Sequence, residues 1–78
     1  MNNEGLILLK DRIRTSGLKI TYLLERLEMS RPTFINRLKG VYPFTIAEAN
    51  TLREVLKLTP ADTLYIFFGV TVNDINEA

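Results

Sequence analysis

Between Ser30 and Gly40 the chain places Arg31, Thr33, Asn36 and Arg37 on the outer face of a short helix, with Lys39 near its end. These side chains share a talent for reading planar edges rather than for breaking bonds. Arg donates two parallel N–H bonds and matches the edge of guanine. Asn both donates and accepts, which matches adenine, and Thr offers a hydroxyl or a methyl. Pro32, at the start of the helix, donates nothing, but it can rest against a thymine methyl.

Bond-breaking chemistry has little to draw on. The 78 residues contain no His and no Cys. Ser–His and Cys–His nucleophiles, thiolate or imidazole zinc sites and a disulfide framework are therefore excluded. Carboxylate pairs such as Glu25 with Glu28, or Asp11 with Glu48, have nothing to orient them, and no glycine-rich phosphate loop is present. The expectation is a binding protein with no catalytic residue, no metal and no cofactor.

The elements that position these side chains follow from helical spacing of the apolar residues and from start and stop signals. Leu6, Leu9 and Ile13 predict a first helix that stops at Thr15-Ser16-Gly17. A second runs from about Lys19 to Leu27, with Ile20, Leu23, Leu24 and Leu27 inward and Glu25, Arg26 and Glu28 outward. Glu28-Met29-Ser30 connects it to a third, which Ser30 caps, Pro32 opens and Gly40 stops, with Phe34 and Leu38 facing the core. Val41-Tyr42-Pro43-Phe44 reads as a loop, because Pro43 disfavours helical geometry at Tyr42. Thr45 and Glu48 have capping-box spacing and open a fourth helix carrying Ala49, Leu52 and Leu56 on one side. Thr59-Pro60-Ala61-Asp62 opens a fifth, ending at Gly69. Val70-Thr71-Val72 is either a brief strand or a packed end. The fold class is all-α: one compact domain of five short helices, with its core at about 5–69 and a short tail at 70–78.

The stretch from Thr21 to Gly40 resembles the helix-turn-helix of phage repressor and Cro-type regulators, the lambda-repressor-like or XRE-type family. The Ser30-Arg31-Pro32-Thr33 step and the closing Gly40 carry the likeness, and the five-helix order with the motif in helices two and three extends it over roughly residues 5–69. The resemblance implies that Arg31, Pro32, Thr33 and Asn36 read bases. It also implies that Lys19 and Thr21, before and at the start of the second helix, and Lys39 and Tyr42, after the third, hold phosphates. Arg37 joins the base-reading set from its place on the outer face.

Three positions depart from the family pattern. Glu28 stands where a glycine is usual in the turn, at a cost of roughly 1 kcal/mol if the position is left-handed. Leu24 replaces a small residue inside the second helix, and Ile20 replaces the glutamine that commonly opens it.

Each assignment has a plainer counterpart. Lys19 and Lys39 are also ordinary solubilising lysines, Thr21 is equally a candidate N-cap, and Tyr42 is a candidate to pack over its loop. In the fifth helix, Leu64, Tyr65, Ile66, Phe67 and Phe68 supply apolar surface on most sides, more than one core-facing stripe needs. Either that helix is simply well packed, or Leu64, Tyr65, Phe67 and Phe68 form the interface of a homodimer, the usual way this motif reads two half-sites.

The function these features imply is sequence-specific binding of double-stranded DNA by a small regulator of phage or bacterial origin, a Cro-like repressor acting sterically on an operator. The alternative is a protein-interaction module, an antirepressor or adaptor, on the same fold, and Ile35 beside the polar face keeps it open. The start, Met1-Asn2-Asn3-Glu4, lacks the basic residues of a secretory signal, and no apolar run approaches a membrane span, so the expected location is cytoplasmic. The formal net charge of +1 conceals an asymmetry. Residues 10–40 hold eight basic against three acidic side chains, and the rest of the chain holds two against six.

Overall fold

Local signals decide where three of the five helices begin. In the computed structural model, which describes residues 3–71, the elements are α1 (Asn3–Ser16), α2 (Ile20–Leu27), α3 (Arg31–Leu38), α4 (Ile46–Leu56) and α5 (Pro60–Phe68). The hydroxyl oxygens of Ser30, Thr45 and Thr59 accept the backbone N–H groups of Thr33, Glu48 and Asp62, so three helices start on a side-chain cap. At α4 the capping box is complete, with the Glu48 carboxylate accepting the Thr45 N–H at 2.9 Å. The N-cap of α2 is Lys19, which makes no side-chain cap bond, so Thr21, two residues further on, lies inside the helix and does not cap it.

Helix ends are set by left-handed residues. Gly17, Gly40 and Gly69 adopt positive φ without a Cβ penalty, whereas Glu28 (φ 55) and Lys57 (φ 54) adopt it with one. The expected strain at Glu28 is therefore present. After α5, the N–H groups of Gly69 and Val70 close onto the carbonyls of Tyr65 and Leu64. No strand forms at Val70 and Thr71, and Val72 lies outside the described residues.

The core takes one solvent-free side chain from each helix: Leu9, Leu23, Phe34, Leu52 and Ile66. Each contributes roughly 1.5–3 kcal/mol by leaving water. Leu6, Leu27 and Leu58 complete the buried set, while Ile13, Ile20, Leu24, Leu38 and Leu56 pack against its edge. The closest helix pairings are α1 with α5 and α2 with α4. Arg12 reinforces the first, its Nε and Nη2 donating to the two carboxylate oxygens of Asp62 at 3.1 and 3.4 Å. That hydrogen bond, with the nearby negative charge, raises the Arg12 pKa above its ordinary value.

A ladder of rings ties the loop to the core. Phe44 stands edge-on to Phe34 of α3 at 6.4 Å and edge-on to Phe67 of α5 at 6.0 Å. The helix carrying the polar face and the C-terminal helix thus share one aromatic neighbour.

Candidate nucleic-acid interface

The candidate interface is built on α2, the Glu28-Met29-Ser30 connection, and α3. Its geometry begins at Ser30, whose extended backbone turns the chain and whose hydroxyl accepts the Thr33 N–H and donates to Thr33 Oγ1 at 2.9 Å. The first turn of α3 is thereby held, and it presents Arg31 and Pro32 to solvent. Arg31 has no carboxylate partner among the described residues, so its full guanidinium fork faces outward unpaired. Thr33 and Asn36 are half-buried. The hydroxyl of Thr33 accepts from Ser30, which leaves its methyl, its own O–H and one lone pair for an outside partner.

Arg37 departs from the expected outer face. Its Nε and Nη2 donate to Glu48 Oε1 and Oε2 at 3.2 and 3.4 Å, and its side chain is only 19% exposed. The reason is positional: Arg37 lies one turn after Thr33, on the flank of α3 that looks toward the start of α4. An unpaired Glu48 there would be costly, and the planar guanidinium meets both oxygens.

The four residues proposed for phosphates stand at the ends of the two-helix unit. Lys19 caps α2, Thr21 lies in its first turn, Lys39 caps the end of α3, and Tyr42 lies in the following loop. All four are exposed, so Tyr42 does not pack over the loop. Of the basic residues between 10 and 40, Arg12, Arg14 and Arg37 are neutralised by Asp62, Asp11 and Glu48. Lys10, Lys19, Arg26, Arg31 and Lys39 have no carboxylate partner among the described residues, and four of these five belong to the two-helix unit. Asp11 and Glu48 do not pair, since Asp11 meets Arg12 and Arg14 while Glu48 meets Arg37.

One contact on α2 was not expected from the sequence. Arg26 Nη1 donates to the Tyr22 hydroxyl at 2.9 Å, and its guanidinium lies 5.9 Å from the Tyr22 ring centroid. Both side chains are exposed on α2. The i, i+4 spacing of Tyr and Arg was the available signal.

The surface expected to face a second copy is divided. The Tyr65 hydroxyl donates to Glu4 of α1 at 2.9 Å, and that bond, with partial burial, raises its pKa above the usual phenol value. Phe67 is taken up by Phe44, and Leu64 is half-buried. Phe68 remains 62% exposed and, with Ile46 at 77%, flanks a small groove floored by Phe44, Ala49 and Phe67.

Among the described residues no group of His, Cys, Asp and Glu is arranged to hold a metal, and no helix is long and apolar enough to cross a membrane. No protein family, curated protein or solved structure matches this chain.

Proposed function

We propose that the chain is a sequence-specific double-stranded DNA-binding regulator of the phage-repressor and Cro type, of phage or bacterial origin, working in the cytoplasm. The observation that carries the reading is Arg31: an exposed, unpaired guanidinium in the capped first turn of α3, on a chain whose other arginines in α1 and α3 are neutralised. Fixed at the helix start, it can offer both donors to a guanine edge, while Asn36 lies just over a turn further along. Lys19, Thr21, Lys39 and Tyr42 would hold phosphates on either side and set the register without reading sequence.

A helix of eight residues buries little on its own, so a second copy supplies the rest of the affinity. We place that contact at Phe68 of α5, with Ile46 across the groove. Occupying an operator would block or redirect polymerase sterically.

The deciding experiment is selection from random duplex DNA at low salt. An enriched palindromic site supports both base reading and the dimer. Recovery of no enriched sequence overturns the reading. One observation favours a second function, a protein-interaction module such as an antirepressor or adaptor. Ile35, Val41 and Tyr42 expose apolar surface on α3 and the loop that follows it.

A further inference from the structure

We propose that Glu48 is a positioning residue for α3, acting through Arg37; its bearing on duplex discrimination rests on the DNA-binding reading above. The closest helix pairings are α1 with α5, α2 with α4, α1 with α4, and α4 with α5, and α3 belongs to none of them. Its side chains hold it instead. Phe34 is sunk in the core, Leu38 packs at the edge, and the Arg37 fork reaches Glu48.

A single buried ring near the middle of an eight-residue helix leaves rotation and tilt weakly defined. The Arg37 fork removes that freedom, because two donors in one plane meet two oxygens in one plane. The Glu48 carboxylate is itself immobile. Its Oε1 accepts the Thr45 N–H at 2.9 Å as part of the α4 capping box, so the post to which α3 is tied is the start of α4. α4 packs closely on α2. Both side chains of the pair are less than one-fifth exposed, which limits screening by salt. One carboxylate therefore caps one helix and orients another, and it sets how Arg31 and Asn36 are presented relative to α2.

The test uses the full chain with Glu48→Gln, Arg37→Met and the double substitution. The glutamine retains an oxygen for the Thr45 N–H, so the α4 cap survives while the ion pair does not. Two readouts are taken. The first is amide hydrogen exchange without DNA, comparing residues 31–38 with those of α1 and α5. The second is the ratio of affinities for the selected duplex and a scrambled duplex of equal composition.

Both single variants are expected to speed exchange in α3 several-fold while leaving α1 and α5 unchanged, with the double variant no worse than either. Discrimination is expected to fall about ten-fold in all three. Unchanged α3 exchange in all variants overturns the positioning role. A further loss of discrimination when Arg37→Met is added to Glu48→Gln also overturns it, because Arg37 would then be touching bases itself. If the wild-type chain selects no duplex sequence, the DNA-binding reading fails separately. In that case faster α3 exchange still supports the anchoring, and unchanged exchange refutes it.

Discussion

Gly5 of α1 lies against the backbone of Ile66 in α5: a Cβ built on Gly5 would stand 2.8 Å from the Ile66 carbonyl oxygen and 3.1 Å from its Cα. The two helices meet where neither can give way, since the obstructing atoms are backbone. Gly5→Ala gains roughly 1 kcal/mol of helix propensity. Against that stands an overpacking cost of about 1–3 kcal/mol at a contact with no room to relax. The expected result is a lower denaturant midpoint. A variant as stable as wild type would mean that α1 and α5 do not approach this closely.

Glu28 ends α2 at φ 55 and ψ 45, the region where a side chain is strained and glycine is not. Glu28→Gly should stabilise the chain by up to about 1 kcal/mol, less the entropy a glycine adds to the unfolded state. Chemical denaturation reads this directly. A fall in stability would show that the Glu28 side chain makes a contribution larger than its strain.

The contacts proposed for duplex DNA separate by type. Arg31→Ala should cost roughly 1–3 kcal/mol at a selected site and relax base preference there, with far less effect on unrelated duplexes. Lys39→Ala should weaken binding to all sequences alike and reduce the salt slope by about one. Titrations at several salt concentrations distinguish the two patterns. If Arg31→Ala behaved like Lys39→Ala, Arg31 would be holding a phosphate.

Phe68 is largely in water, so Phe68→Ser should leave the fold intact. The expected change is in sedimentation: a dimer for wild type at micromolar concentration and a monomer for the variant, with the same helical circular dichroism. A wild-type chain that stays monomeric even on its selected duplex would remove α5 from the interface.

Acid should weaken the tie between Arg37 and Glu48. Burial pushes the Glu48 pKa up, but the Thr45 N–H and the Arg37 guanidinium outweigh it, and the net value lies below the ordinary 4.5. A carboxylate whose pKa is depressed on folding adds stability that is complete above the unfolded value and disappears as pH falls through the folded one. Thermal unfolding of wild type and Glu48→Gln should therefore differ by a constant amount above about pH 4.5 and converge below it. Parallel curves down to pH 3 would show that Glu48 is not the responsible group.

Much of the fold was legible because its signals are local. Ser30, Thr45 and Thr59 each act within three residues, and glycines at 17, 40 and 69 end or follow helices for reasons internal to their own backbone. The helical spacing of the apolar residues around Leu9, Leu23, Phe34 and Leu52 likewise marks the inward faces of α1 to α4 without reference to which helix lies opposite. By itself, then, the sequence determined five helices, their approximate limits, the buried sides of α1 to α4 and the polar character of α3, whereas the buried side of α5, apolar all round, was decided by packing.

The partners across space belonged to the tertiary structure. Arg37 and Glu48 are eleven residues apart, and nothing in their local spacing aims one at the other; only the path of the loop between α3 and α4 turns a residue expected on the outer face into an anchor. Arg12 with Asp62, Tyr65 with Glu4, and Gly5 against Ile66 join α1 to α5 across fifty or more residues. Their charges and shapes are common to many surface residues until the helices are packed. The physical reason is the range of the forces: caps and turns are satisfied within a few bonds, whereas an ion pair or a close backbone approach exists only once the core has placed its two halves together.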